Sequence, residues 1–332
     1  MDTIKMVGVT RSNFIESIHY GTAVLINSDG KILKEWGNSN MMIYPRSALK
    51  PIQSLNLYKE GVAEALNLPN ELIALTTASH HAEAIHQEMI NSWLKKMNLN
   101  ENHLSCGSTW PWNKKDQFEV YSKYKIKRKI FHNCSGKHCG HLAVCQYKDL
   151  SIKDYQNKEH PIQKNLIHLI ENLSKYKINH IGIDGCTLPN PLMPLKKFAL
   201  AVAQLADYKK LNEHSAIAKR IFDSCVKFPE IAGGSKSINS ILTKLSNEKV
   251  FFKNGAEGVF VLSILSFLYG IYLCITLIPT VGTYSGSSAI RSFKGNFFRF
   301  LIPIFVLGFN GFLMYACYPL IKHFGSIEKP KK

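Results

Sequence analysis

Apolar runs broken by turn residues over residues 4–37 predict a strand meander. Its runs are Ile4 to Val9, Ser17 to Ile26 and Lys31 to Trp36, with a hairpin turn at Asn27-Ser28-Asp29-Gly30. The spacing of apolar residues then lengthens. Leu49, Ile52, Leu55 and Leu57, running on to Ala63, Leu66 and Leu68, predict a helix that begins just after Pro45 and Arg46. An apolar run at Glu71 to Ala78 enters a polar cluster, Ser79-His80-His81-Ala82-Glu83, and a further helix is expected through Met89 and Leu94. Lys123 to Lys129 alternates like an exposed strand, Ile178 to Ile181 ends a strand, Leu195 to Leu205 is an amphipathic helix, and Val250 to Lys253 ends another strand. Residues 259–281 and 300–320 carry no charge over 23 and 21 positions, long enough for two membrane-spanning helices.

The polar residues concentrate at the edges of these elements. Ser47 and Lys50 stand one helical turn apart, Ser-x-x-Lys, a spacing at which a serine hydroxyl can be activated by a lysine whose pKa is lowered by burial. On the pattern alone, a helix-start serine beside a solvated lysine is the competing reading. Ser79 and Glu83 read as a helix cap, which leaves three nearby histidines without a role. His132 to His141 packs three histidines, two thiols, a lysine and two glycines into ten residues. Either zinc or a glycine-rich turn into a helix accounts for it, and the spacing matches no zinc finger.

Composition changes this picture little. With 45% hydrophobic and 20% charged residues the chain is globular. Its 41 basic against 24 acidic residues give +17, but the cations are scattered and no nucleic-acid motif is present. The eight cysteines are irregularly spaced and the first residues hold no apolar signal run, so reduced thiols in a cytoplasmic protein are expected rather than a disulfide framework.

Taken together, Pro45-Arg46-Ser47-x-x-Lys50-Pro51, Ala78-Ser79-His80, Cys106-Gly107, His132 to His138, Asp184-Gly185-Cys186 and Lys253-x-Gly255-Ala256-Glu257-Gly258 resemble the bacterial asparaginase II family. The six motifs are collinear over about residues 5–258. The resemblance implies an α/β fold like that of serine beta-lactamases and glutaminases, with flanking helices around a sheet. It also implies hydrolysis of asparagine to aspartate and ammonia. Carried over by motif, Ser47 with Lys50 and Ser79 with Lys253 are two catalytic tandems; Cys134, Lys137 and Cys186 hold zinc; Arg46, His80 and Asp184 orient the substrate, a small amide. The chain departs from the family at His81-Ala82 and at Ser108-Thr109-Trp110. The larger departure is the tail, so the expected organisation is a catalytic domain over 1–258 and a hydrophobic tail over 259–332, anchored in the membrane by a two-helix hairpin. The alternatives are an impaired, membrane-anchored binding module and a glutaminase. A beta-lactam-binding enzyme is disfavoured, since no Lys-Thr-Gly or Ser-Asp-Asn stands in the required roles. A homodimer is the default assembly.

Overall fold

The computed structural model describes residues 3–58 and 61–264. It is a mixed α/β structure. Two hairpins open it, β1 (Ile4–Arg11) with β2 (Phe14–Gly21) and β3 (Ala23–Ile26) with β4 (Ile32–Trp36). The apolar run expected to be one strand from Ser17 to Ile26 therefore breaks at Thr22, because its two halves pair with different partners. β3 is buried throughout, while β2 is largely exposed.

After β5 (Met42–Ile43), a 3-10 turn at Arg46–Leu49 leads into α1 (Lys50–Tyr58). Short α2 (Val62–Ala65), α3 (Asn70–Thr76) and α4 (Ala84–Lys96) follow. The predicted apolar face is confirmed at Leu49, Ile52, Leu55, Leu57, Ala63 and Leu68, all buried, whereas Leu66 is exposed. α5 (Lys114–Tyr124) then occupies part of the stretch expected to be an exposed strand. Lys125 ends it in the left-handed region, and only the single bridge between Thr109 and Arg128 has strand character. Alternation over seven residues cannot by itself distinguish a helix end followed by an extended loop from a strand.

α6 (Ser135–Tyr147) is buried along most of its length and packs against α1, α3 and α4. Gly136 and Gly140 permit this approach: a Cβ on Gly136 would lie 2.5 Å from the Leu75 carbonyl oxygen, and one on Gly140 2.9 Å from a Leu57 methyl. α7 (Pro161–Ser174), the β6 (Ile181–Ile183) and β7 (Pro189–Pro191) hairpin, and β8 (Met193–Pro194), which pairs with β5, come next. α8 (Leu195–Ala206) falls where the sequence places it and packs on β3. α9 (Ser215–Lys227), α10 (Pro229–Gly233) and α11 (Ile238–Leu245) complete the helices before β9 (Val250–Asn254) and β10 (Phe260–Ile264).

That last hairpin corrects the expected tail. Residues 260–264 are not the start of a membrane helix but a strand, antiparallel to β9 with Val261 opposite Lys253. The expected boundary at 258 thus falls inside a hairpin turn. An uncharged run has the same composition whether it is a buried strand or a buried helix, and here pairing with β9 decides. No helix among the described residues is long and apolar enough to cross a membrane. The remainder of the first expected span, and all of 300–320, lie outside the described residues.

Candidate active site

Five separate segments converge on one buried cluster. Pro45 and Arg46 turn the chain from β5 into α1, with Arg46 at φ +53°, a left-handed conformation costing about 1–2 kcal/mol for a residue with a Cβ. Arg46 Nε meets Asp184 Oδ1 at 2.5 Å, and its backbone N–H reaches Asn190 Oδ1 at 3.4 Å. These contacts span about 140 positions of sequence and hold the strained turn that carries Ser47. The Gly255 side of the β9–β10 turn presses on the same place: a Cβ there would lie 2.5 Å from the Pro45 carbonyl oxygen.

Lys50 is fully buried. Its Nζ donates to the Ala78 carbonyl, approaches Ser79 Oγ at 3.0 Å and reaches the Asn133 carbonyl at 3.3 Å. The pairing expected from Ser-x-x-Lys is therefore not the one formed. Acceptors from two other segments draw the Lys50 head inward to Ser79, and Ser47, half-buried, has no side-chain hydrogen bond among the described residues. Lys253, equally buried on β9, approaches Ser79 Oγ at 2.8 Å and the Asn254 carbonyl at 2.9 Å. Ser79 is held through its backbone N–H to Ala232 and is not the cap of α4, whose first residue follows Glu83.

Burial lowers the pKa of both lysines because the charged form loses its hydration. Lys253 falls well below the ordinary value of 10.5, pushed further by the neighbouring Lys50 charge, and the Cys134 anion partly supports the charged form of both lysines. His80, expected to orient the substrate, is buried. Its Nε2 pairs with Ser135 Oγ at 2.9 Å, its Nδ1 accepts the Ala82 N–H at 3.1 Å, and the ring stacks on His86 at 4.9 Å. Burial keeps it neutral, its pKa well below the usual histidine value, so it braces the loop after Ser79.

Beside the lysines lie Cys134, at the start of α6, and Cys186, after β6. Lys137 Nζ donates to Cys186 Sγ at 3.3 Å, with Asp184 Oδ2 at 3.8 Å from the same sulfur. The two thiols share a hydrogen bond that lowers the pKa of Cys134 well below the usual thiol value and raises that of Cys186. Burial alone would neutralise Lys137, but the Cys186 and Cys134 sulfurs and the Asp184 carboxylate beside it outweigh that and raise its pKa. No group of three His, Cys, Asp or Glu side chains among the described residues is placed to hold a metal. All six described cysteines are free thiols, as the reduced reading anticipated; Cys274 and Cys317 lie outside the described residues.

Sequence reasoning missed Asn133, whose carbonyl receives Lys50, and the pair Asn254 and Asn239, whose side chains join at 2.7 Å beside Lys253. Asn254 is the unspecified position of Lys253-x-Gly255, so only its neighbourhood gave a signal; Asn239 on α11 gave none.

Ser79 thus stands between two buried lysines in a mixed α/β domain. The L-asparaginase II family model matches residues 7–276, and the chain belongs to that family. The match runs beyond the expected boundary at 258. A search of curated proteins finds no match.

Proposed function

We propose that the protein is an amidohydrolase converting asparagine and water to aspartate and ammonia through a serine-bound acyl intermediate, with glutamine as the competing substrate. The observation carrying this reading is Ser79 Oγ set 2.8 Å from Lys253 Nζ and 3.0 Å from Lys50 Nζ, both amines being buried. Family membership supplies the reaction class, for which asparagine hydrolysis is the suggested activity. The same membership supports a serine beta-lactamase and glutaminase-like arrangement of the domain.

The contacts favour Ser79, ahead of Ser47, as the attacking hydroxyl. Lys253 takes the Ser79 proton, the oxygen bonds to the side-chain amide carbon, and the Lys253 ammonium returns the proton to the nitrogen as the C–N bond breaks and ammonia leaves. Water then attacks the ester with Lys253 again as base, and aspartate departs as Ser79 regains its proton. An N–H of Lys50 aimed at Ser79 Oγ stabilises negative charge developing there. Ser47, its hydroxyl unengaged among the described residues and next in sequence to the ion-paired Arg46, is free to hydrogen-bond the substrate.

Cys134, Lys137 and Cys186 fit zinc as a donor set: two thiols, one already biased to thiolate, with an amine 3.3 Å from the second sulfur. Bound there, zinc would supply a fixed positive charge able to anchor a polar group of the substrate. Incubation with a diazoketone analogue of asparagine, followed by peptide mass spectrometry, tests the order of roles. Label on Ser79, with ammonia release abolished in Ser79→Ala, supports it; label on Ser47 alone reverses it. Near wild-type ammonia release by both Ser79→Ala and Ser47→Ala sinks the serine mechanism.

A further inference from the structure

A neutral amine offers two N–H donors and one lone pair, while an ammonium offers three donors and no lone pair. Lys253 Nζ has three partners: the Asn254 carbonyl at 2.9 Å, Asn254 Oδ1 at 3.4 Å and Ser79 Oγ at 2.8 Å. The two Asn254 oxygens can only accept. When N–H groups serve both, the lone pair that remains faces Ser79 Oγ, as a base must before it takes a proton.

This alignment depends on which way the Asn254 amide is turned, because its oxygen and nitrogen have nearly the same shape. Reversed, Asn254 would direct an N–H at Lys253 Nζ and compete with Ser79 for the lone pair. Asn239 meets that amide from its other side. Buried on α11, it donates from Nδ2 to Asn254 Oδ1 at 2.7 Å, and only an oxygen accepts that bond. Asn239 Oδ1 has no partner among the described residues, so this one bond is the side chain's whole engagement there.

We propose that Asn239 is a positioning residue for the serine–lysine centre, locking the Asn254 amide with its oxygen toward Lys253 Nζ and thereby aiming the lysine lone pair at Ser79. The consequence for catalysis rests on the amidohydrolase reading above; the lock itself does not. The titratable neighbours of Lys253 are Lys50, Cys134, Cys225 and Lys137, none of them altered by a change at Asn239.

The test compares the full-length chain with Asn239→Ala and Asn239→Asp. Ala removes the donor, whereas Asp keeps the shape and, ionised on the alkaline plateau, can only accept, which forces Asn254 to reverse. Both variants are expected to lose at least about tenfold in kcat with KM within about twofold, and the loss persists on the alkaline plateau, where a merely raised lysine pKa would be overcome. Asn239→Asp retaining more than about half of wild-type kcat there overturns the proposal, since it means that Asn239 normally accepts from Asn254. Independently of turnover, the Lys253 13Cε resonance, assigned through Lys253→Met, is titrated in wild type and Asn239→Ala. Losing a hydrogen-bond acceptor for the ammonium lowers its midpoint by at least about half a unit; an unchanged or raised midpoint refutes the lock. A wild-type chain that releases no ammonia refutes the enzymatic reading, and the resonance still decides the positioning role.

Discussion

Gly255 tests how the site is held together. It lies in the turn between β9 and β10, where its N–H donates to the Val259 carbonyl at 2.7 Å. An added Cβ would sit 2.5 Å from the Pro45 carbonyl oxygen, 3.1 Å from Val259 Cβ and 3.3 Å from the Ala48 nitrogen. The Pro45 oxygen cannot easily yield, because it accepts the Ala48 N–H at 3.1 Å in the turn that carries Ser47. Since comfortable carbon–oxygen contacts begin near about 3.3 Å, two backbones must separate by roughly 0.8 Å in Gly255→Ala. Overpacking of this kind costs about 1–3 kcal/mol, and at about 2–4 °C per kcal/mol in a domain of this size the midpoint falls by about 4–8 °C for a central 2 kcal/mol. Activity should fall further than stability, because the displaced turn begins two residues after Lys253. Calorimetric melting and ammonia release well below the transition are compared for wild type, Gly255→Ala and Gly107→Ala, whose added Cβ meets nothing within 4 Å. A Gly255→Ala chain that melts within about 1 °C of the Gly107→Ala chain and turns over normally refutes the reasoning.

Three further outcomes follow from the same contacts. Zinc uptake should release about two protons per ion near neutral pH, from the Lys137 ammonium and the Cys186 thiol, read as a dependence of calorimetric heat on buffer ionisation enthalpy; uptake without proton release would place the metal elsewhere. Because the folded-state pKa of Lys253 lies well below 10.5, unfolding binds a proton between that value and 10.5, so this lysine's contribution to stability grows with pH through that window by at most about 1.4 kcal/mol per unit; urea titrations should show a flatter rise in Lys253→Met. Ending the chain after Gly258 removes β10, which pairs with β9 from Phe260 opposite Asn254 to Ile264 opposite Val250, and should abolish ammonia release through loss of Lys253 placement; full activity in that truncation would contradict it.

The site was legible where a residue's neighbours in sequence are also its neighbours in space. Ser79-His80 and Lys253-x-Gly255 marked segments that reach the cluster, and Leu195 to Leu205 reads directly as a helix because its period is unambiguous, the helix observed being Leu195–Ala206. Partner choice was not legible. Lys50 follows Ser47 by one turn, yet its long side chain finds Ala78, Ser79 and Asn133, whose positions are fixed by α3 and α6 packing through Gly136 and Gly140. The uncharged run from 259 concealed β10 for a different reason. A strand buried on both faces shows no alternation, so only the pairing with β9 separates it from an apolar helix.

The two lysines are nearly equivalent in burial, and a hydrogen-bond count separates their roles. Ser79 has one proton, so it can donate to only one amine and must accept from the other. Lys50 has two carbonyl acceptors besides Ser79 Oγ, enough to use all three donors of an ammonium. Lys253 has two Asn254 oxygens besides Ser79 Oγ, enough for the two donors of a neutral amine. Local charge separates them less sharply: the Cys134 anion favours the charged form of both lysines, while the Lys50 charge opposes that of Lys253.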